Sequence, residues 1–570
     1  MRSLRALSSL GLAAASLFFA STALAGPEAL APVDESVATV PGELVIDLRD
    51  DLSDADVASF FSGLGVSFSR SALEQQTRTE IAHTSDPAAL AARLAGDPRV
   101  EGVEPLGIVH ALYTPNDPML KDQWHLTRVG AEKAWSFGIG RGAVVAVVDT
   151  GIACETHGAF TKISDLSGTP CVAGWSAFDK SGHANDEHGH GTHVAGTIAQ
   201  TTNNGTGAAG LAFGARLMPV KVLDASGGGT NLGVADGIRW AADNGADVIN
   251  LSLGGPIPSL VLQKAVDHAR DRGVVVVAAA GNSGGRVGYP GACSGVIGVS
   301  ATDDTDTIAK FSSRGKGVDI AAPGVAVLQQ TVCNGGRDKC EKYAAFSGTS
   351  MASPHVAGAA ALLVGAGVTD PDAVQKRLEQ TARASKDGGA SRDLYGAGIL
   401  DAHAALARTT LVQGLVRTGA LALLAALAFF SAKKKNADAK LLRPELIGAA
   451  VATGPGLFFL PYLLPRAYLP VDLLSRPLPE WDLLVSARLH EYLPLANAFL
   501  PFAMLSLFFG VPKLRPITAG ISLGLGAYLA SAAVLGEGFG PFGKTAFLVW
   551  TVANALGCLA IARINLAEEK

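Results

Sequence analysis

Four polar residues each close or open a stretch otherwise built of small and apolar side chains. Asp149 ends the run Val144-Val145-Ala146-Val147-Val148 and precedes Thr150-Gly151. His190 lies in His188-Gly189-His190-Gly191-Thr192-His193-Val194-Ala195-Gly196-Thr197, where a Gly-rich loop runs into a small-residue helix. Ser350 lies in a second such junction, Gly348-Thr349-Ser350-Met351-Ala352-Ser353-Pro354-His355-Val356-Ala357-Gly358. Asn282 closes Val274-Val275-Val276-Val277-Ala278-Ala279-Ala280-Gly281. Carboxylate, imidazole, hydroxyl and amide are the groups used in nucleophilic acyl transfer. Singly, each has a plainer reading: a strand-end turn for Asp149, a helix N-cap for Ser350, a turn former for Asn282.

Together the four blocks resemble the subtilase family (peptidase S8) of serine proteases, with Asp, His and Ser in the chain order of subtilisin. The resemblance covers residues 113 to about 405. It implies that Ser350 attacks a peptide carbonyl, that His190 takes its proton and returns it to the leaving amine, and that Asp149 orients the imidazole. It assigns Asn282, with the backbone N–H of Ser350, to the oxyanion. It further assigns the substrate wall and first pocket to Ser252, Leu253, Gly254, Ala279, Ala280 and Gly281, with Gly288 leaving the pocket floor open. No acidic residue stands among these, so an apolar, fairly large residue before the scissile bond is expected. Gln123 and Asn203-Asn204-Gly205-Thr206-Gly207 resemble parts of a family calcium site, but Thr156-His157-Gly158-Ala159-Phe160 lacks the acidic ligand that a hard cation wants. No cofactor is expected to be required, and calcium at this loop stays open, with the missing acid weakening the site. His183, Asp186, Glu187, His188, His190 and His193 invite a zinc reading, yet no His-Glu-x-x-His occurs and the protease block explains their spacing. No metal site is assigned. His193 and His355 are expected to pack or hydrogen-bond inside their helices.

These residues must be held by the elements around them. Apolar runs Ala143–Val148, Arg216–Val222, Val248–Leu253, Val274–Ala280 and Val296–Ser300 alternate with helical stretches after His190, from Leu232, and over Leu260–Asp271. This order predicts an α/β domain at 113–408 with a mostly parallel sheet flanked by helices, its functional groups at the carboxyl ends of the strands. Ahead of it, 26–112 reads as a small α+β module: an extended stretch Gly42–Leu48, helices from Ser53 and over Asp86–Leu94, then Val100–Pro105. It resembles an inhibitory subtilase propeptide, which implies self-cleavage between 112 and 116. Residues 1–25, with Arg2, Arg5, the apolar run Leu10–Ala20 and Ala23-Leu24-Ala25, read as a secretory signal; the run is short for a membrane anchor.

The mean hydropathy of +0.29 is concentrated in the last third. Apolar stretches at about 411–432, 445–464, 493–511, 516–535 and 545–562 approach the roughly 20 residues that span a bilayer, so 409–570 is expected to be an all-α transmembrane domain of about five helices. Lys433, Lys434, Lys435, Lys440 and Arg443, with Lys513 and Arg515, mark the cytoplasmic side, and Arg417 inside the first stretch has to snorkel. The expected location is therefore the cell membrane, multi-pass, with the protease outside. Arg466–Tyr492 is expected outside, near the interface. The net charge of −5 excludes a basic nucleic-acid surface. Expected partners are polypeptide substrates, the chain's own propeptide and the membrane. Of six cysteines, Cys154 and Cys171, and Cys333 and Cys340, are neighbours in sequence, but spacing leaves their pairing open. The alternative function is an inactive protease fold serving as the binding module of a membrane receptor or transport-associated protein; the intact Asp149, His190, Ser350 and Asn282 argue against it.

Overall fold

The computed structural model describes residues 39–70, 78–107, 114–385, 391–434, 442–492, 495–508 and 510–567. The signal at 1–25, the cleavage stretch up to residue 113, Lys435 and Lys440 lie outside them. The chain forms two compact units, Met1–Ala111 and Leu112–Lys570.

The first unit is an antiparallel sheet of β1 (Thr39–Leu48), β2 (Ser67–Arg70), β3 (Thr79–His83) and β4 (Val100–Gly107), in the order β2-β3-β1-β4. Helices α1 (Asp54–Leu64) and α2 (Pro87–Leu94) complete it. Alternate residues of β1, Leu44, Ile46 and Leu48, share one core with Val57, Phe60 and Phe61 of α1 and with Leu90 and Leu94 of α2. Period two on the strand meets period three to four on the helices, so one apolar face serves both. Ser53 opens α1 with a capping box to Asp56, and Gly65 closes it at φ 70°, a left-handed position that glycine takes without strain.

The second unit is built on a seven-stranded sheet of β5 (Val144–Asp149), β6 (Trp175–Ser176), β7 (Arg216–Lys221), β8 (Val248–Leu251), β9 (Val275–Ala279), β10 (Val296–Thr302) and β11 (Ile320–Pro323). Its order is β11-β10-β9-β8-β5-β7-β6, and every neighbouring pair is parallel. β5, β8, β9 and β10 are buried throughout, which is why their sequences are apolar without alternation. One face, with Val145, Val147, Val275 and Val277, packs on α3 (His190–Ala199) and, further along the chain, on the helix Thr349–Gly365. The other, with Val144, Ala146, Val148 and Val276, packs on α4 (Asn231–Asp243) and α5 (Leu260–Asp271). A hairpin of β12 (Val327–Gln330) and β13 (Tyr343–Phe346) precedes that helix, α6, which is followed by α7 (Pro371–Thr381). Disulfides join Cys154 to Cys171 and Cys333 to Cys340, while Cys293 and Cys558 are free and buried.

The C-terminal region is helical: α8 (Ala402–Lys433), α9 (Pro444–Thr453), α10 (Phe499–Phe508), α11 (Arg515–Leu535) and α12 (Lys544–Ala567). Among the described residues α8, α11 and α12 are long and apolar enough to cross a membrane. The other two apolar stretches yield only ten-residue helices. Gly454 closes α9, and Gly456 at φ 63° turns the chain away. Gly520 and Gly524 of α11 let α9 approach: a Cβ on either would stand 2.3 Å from the Leu446 carbonyl or 2.4 Å from that of Ala450, the close packing that a GxxxG spacing allows. Arg417 does not snorkel. It is buried on α8 and paired with Glu480, its guanidinium 5.0 Å from the Tyr528 ring; a partner brought by the chain replaces the route to water. The 466–492 segment, expected outside near the interface, folds back onto the sheet domain. Arg466 N–H donates to the Ser136 carbonyl at 2.9 Å, Ala487 N–H to Gly142 at 3.0 Å, and Arg476 Nη1 to Gly365 at 2.7 Å.

Candidate active site

Asp149 sits at the carboxyl end of β5, its side chain fully buried, and accepts from Thr150 N–H at 2.7 Å. His190 is the first residue of α3, delivered by Gly189 at φ 96°. Its Nδ1 lies 2.8 Å from Asp149 Oδ1. With that nitrogen donating to the carboxylate, Nε2 is left as the acceptor. The approach requires glycine next door: a Cβ on Gly191 would meet the Gly151 carbonyl at 2.2 Å and Asp149 Cβ at 3.2 Å. Burial works to lower the pKa of His190, but the charge and hydrogen bond of Asp149, with the charge of Asp186, outweigh it, and the net shift is upward.

Asp186 is a residue whose role the sequence did not disclose. It is fully buried and accepts from the N–H groups of His188 (2.9 Å), Gly189 (2.8 Å) and Thr192 (2.9 Å) and from the hydroxyls of Thr192 (2.7 Å) and Thr150 (2.8 Å). One carboxylate thus ties the turn before His190 to the end of β5. Its position four residues ahead of the histidine was visible, but only as part of a histidine-rich run.

Ser350 stands in the first turn of α6, and Gly348, not Ser350, is the N-cap. Ser350 Oγ donates to the Ser252 carbonyl at 3.1 Å, and Ser252 Oγ returns a bond to the Ser350 carbonyl at 2.7 Å. Asn282, beyond β9, is oriented through its Oδ1, which accepts from both the N–H and the hydroxyl of Thr349 at 2.9 Å. That assignment turns Nδ2 outward beside Gly348, where a Cβ would lie 3.2 Å from it. Unsatisfied N–H groups and the dipole at the start of α6 favour negative charge at the same place. Thr349, inside the serine block, is the second positioning residue that spacing alone did not single out.

The residues expected to line the first pocket lie near this corner. Gly255 and Tyr289 exchange backbone bonds of 2.9 and 2.8 Å, Gly288 N–H donates to Ala280 at 2.9 Å, and Gly281 N–H donates to Thr349 Oγ1 at 3.0 Å. Ser252–Gly254 and Ala279–Gly281 continue from the last paired residues of the adjacent strands β8 and β9, Leu251 and Ala278. Gly288 also has a backbone reason to be glycine: its Cβ would stand 3.0 Å from the Gly255 carbonyl.

The other histidines are engaged elsewhere. His193 Nε2 lies 2.9 Å from the Ala344 carbonyl with its ring stacked on Phe346, and burial pushes it down to about 4. His355 bridges the Met351 carbonyl and His125, each at 2.8 Å, and burial likewise takes it to about 4. His183 stacks on His157 and pairs with Glu155 at 3.1 Å. The calcium-like loop is braced by N–H donors. Asp117 accepts from Asn203 and Asn204, Asp165 from Ala208, Asn204 and Tyr343, and Gln123 exchanges bonds with Ala209. Asp117 and Asp165 thus spend oxygens on amide and hydroxyl protons, whereas calcium takes about six to eight oxygen ligands.

Comparison with known proteins gives a consistent picture. The profile of the subtilase family matches residues 140–398, and that of a domain of unknown function (DUF5942) matches residues 442–570. Thermitase of Thermoactinomyces vulgaris is 44% identical over 272 residues, covering 47% of this chain and 92% of that protein. An extracellular protease of Xanthomonas campestris pv. campestris is 40% identical over 352 residues; the match covers 55% of this chain and 60% of that protein, less than two thirds of its length. A solved protease from Pseudoalteromonas arctica is 35% identical, covering 52% of this chain and 100% of its own, with a TM-score of 0.47.

Proposed function

The chain belongs to the subtilase family and is an enzyme of the subtilisin type, and from that premise we propose that it cleaves polypeptides outside the cytoplasm through Asp149, His190 and Ser350 while its C-terminal helices hold it in a membrane. The observation that carries the reading is the 2.8 Å bond between Asp149 and His190, made at the same end of the sheet as Ser350 and Asn282.

In the reaction, Ser350 Oγ leaves the Ser252 carbonyl by rotating about its side-chain bond and donates to His190 Nε2. As the oxygen attacks the substrate carbonyl carbon, its proton passes to Nε2, and Asp149 balances the imidazolium that forms. The carbonyl oxygen, now an anion, receives the Nδ2–H of Asn282 and the N–H of Ser350. Collapse breaks the C–N bond, His190 returns the proton to the amine, and the acyl group stays on Ser350. Water, deprotonated by the same imidazole, then attacks the acyl carbon; the ester bond to Ser350 Oγ breaks, the imidazolium gives its proton to that oxygen, and the acid leaves. The apolar corner formed by Ser252–Gly254, Ala279–Gly281 and Gly288 suits an apolar side chain before the scissile bond.

The first unit is read as the propeptide, removed near Leu112. The membrane reading is supported by the three long apolar helices and by charge. Ala428, Ala432, Leu446, Ala519, Ala562 and Leu566 pack together at one end of the bundle. Lys433, Lys434, Arg443 and Arg515 flank that end, remote from the sheet domain, and basic flanks face the cytoplasm.

The test is to express the full chain and its Ser350→Ala variant in an exporting host and to determine each N-terminus by mass spectrometry. The parent is expected to begin between 112 and 116 and the variant to retain the first unit. A folded parent that keeps the unit and leaves peptides uncut would overturn the reading.

A further inference from the structure

The sheet domain is docked on the membrane helices by one end, and that end is opposite the chemistry. Four elements run between the two. On β5, Arg141 and Gly142 stand just before the strand, bonded to Asp472 (2.8 Å) and Ala487 (3.0 Å), and Asp149 stands at its far end. On α6 the order is reversed: Ser350 stands in the first turn, and Gly365 ends the helix, accepting from Arg476 at 2.7 Å. Ahead of β8, Ala246 accepts from Arg488 at 2.9 Å, while Ser252 lies just beyond the strand. Ahead of β9, a Cβ on Gly273 would lie 2.8 Å from the Phe539 ring, while Asn282 lies beyond it. At the rises of strand and helix, the five steps of β5 and the fifteen of α6 separate docking face from active site by about 17 and about 22 Å.

The docking has no slack. Helix α8 is unbroken from Asp401, its N-cap in the sheet domain, to Lys433, so no linker intervenes between the protease and its first span. Glu537, in the loop between α11 and α12, accepts from the N–H groups of Thr369 and Asp370 at 2.8 Å, and Lys544 at the start of α12 reaches Asp370 at 2.9 Å. Arg417–Glu480 and Arg476–Asp472 are buried within the joint. A domain held on its first helix, on the loop between the last two and on the folded-back segment does not tip over to present its other face.

Resting on the proposed protease and its membrane anchor, we infer that the cleft opens away from the bilayer and that the substrates are soluble polypeptides, or segments of envelope proteins that stand well clear of the membrane. Peptide bonds next to a transmembrane anchor are out of reach. An extended chain covers about 3.3–3.6 Å per residue, so a bond four residues from its anchor rises about 14 Å, below the level of Ser350, whereas a flexible 25-residue spacer has an average reach of about 25–30 Å and can extend further.

The experiment uses the full chain in phospholipid vesicles with one cleavable apolar sequence in three forms: a free peptide, a single-span reporter in the same vesicles with a four-residue spacer, and the same reporter with a 25-residue Gly/Ser spacer. The Ser350→Ala protein supplies the blank. The free and long-spacer forms are expected to be cut at comparable rates and the short-spacer form at least tenfold more slowly. Equal cleavage of the short-spacer form overturns the inference alone. Failure of the protein to float with the vesicles would sink the membrane reading, and flotation without cleavage of the free peptide would sink the protease reading; either takes this inference with it.

Discussion

The hydroxyl of Thr150 donates to the Asp186 carboxylate at 2.8 Å while accepting the Gly191 N–H at 2.9 Å, so the residue after Asp149 and the residue after His190 hang on one buried acid. Asp149 and His190 come from elements 41 residues apart, and this relay fixes their separation. Asp186 also adds negative charge beside the imidazole and helps hold its pKa above the ordinary 6.5.

Asp186→Asn keeps an acceptor but removes the charge. Because the neutral imidazole is the working base, activity rises with pH as His190 deprotonates. Loss of the charge lowers that pKa, so the acidic limb of the kcat/KM profile is expected to move to lower pH. Maximal kcat is expected to fall roughly tenfold, about 1.4 kcal/mol of barrier, as the histidine loses its fixed position. A pH–rate profile of parent and variant checks both. An unmoved limb with reduced kcat would assign Asp186 a packing role alone.

The sheet, and the positions of the candidate site residues on it, were legible for definite reasons. Strands buried on both faces read as valine runs, helix Leu260–Asp271 showed its period, Asp149 and Asn282 lay just at or beyond strand ends, and His190 and Ser350 lay where a Gly-rich loop runs into a helix. Asp186 and Thr349 were not legible as positioning residues, because hydrogen bonds that converge from distant turns leave no spacing signal. The tail was legible as apolar helices, but hydropathy alone does not report that Gly454 and Gly456 cut one stretch short or that Glu480 waits for Arg417. It also gave no sign that 466–492 folds onto the sheet domain, since that docking is made largely through backbone carbonyls, which every sequence has.

The Arg417–Glu480 pair is nearly excluded from solvent, at 8% and 4% side-chain exposure. Arg417→Ala leaves a buried carboxylate without its cation, and a loss of about 3–5 kcal/mol is expected. The double variant Arg417→Met/Glu480→Leu, which removes both charges and keeps the volume, is expected to recover most of it. Thermal unfolding of the detergent-solubilised proteins gives the comparison. A double variant as unstable as Arg417→Ala would mean that the pair is held by geometry that apolar side chains do not replace.

Asp247 gives the same joint a pH dependence. It lies just before β8 and accepts the Val144 N–H at 2.8 Å, with Arg488 Nε 3.8 Å away. Burial raises its pKa from 3.8 to about 6, against the pull of Arg488 and Arg216. Beside it, burial and then the Asp247 charge raise Glu491 from 4.5 to about 7, against Arg488. Well below pH 3.8 both acids are protonated in the folded and unfolded chains alike. As pH rises, the unfolded chain ionises first and gains, so the joint loses stability progressively from about pH 4 until the folded values are passed, near 6 and 7. A tenfold difference in proton affinity between the folded and unfolded chains corresponds to about 1.4 kcal/mol. Asp247→Asn has no proton to lose and can keep the Val144 bond through its carbonyl oxygen. Relative to the parent it is therefore expected to gain stability between about pH 5 and pH 8, and it also lowers the pKa of Glu491 by removing a neighbouring charge. Melting temperatures of both proteins across that range decide the matter: parallel curves would show that Asp247 is ionised throughout, held so by Arg488.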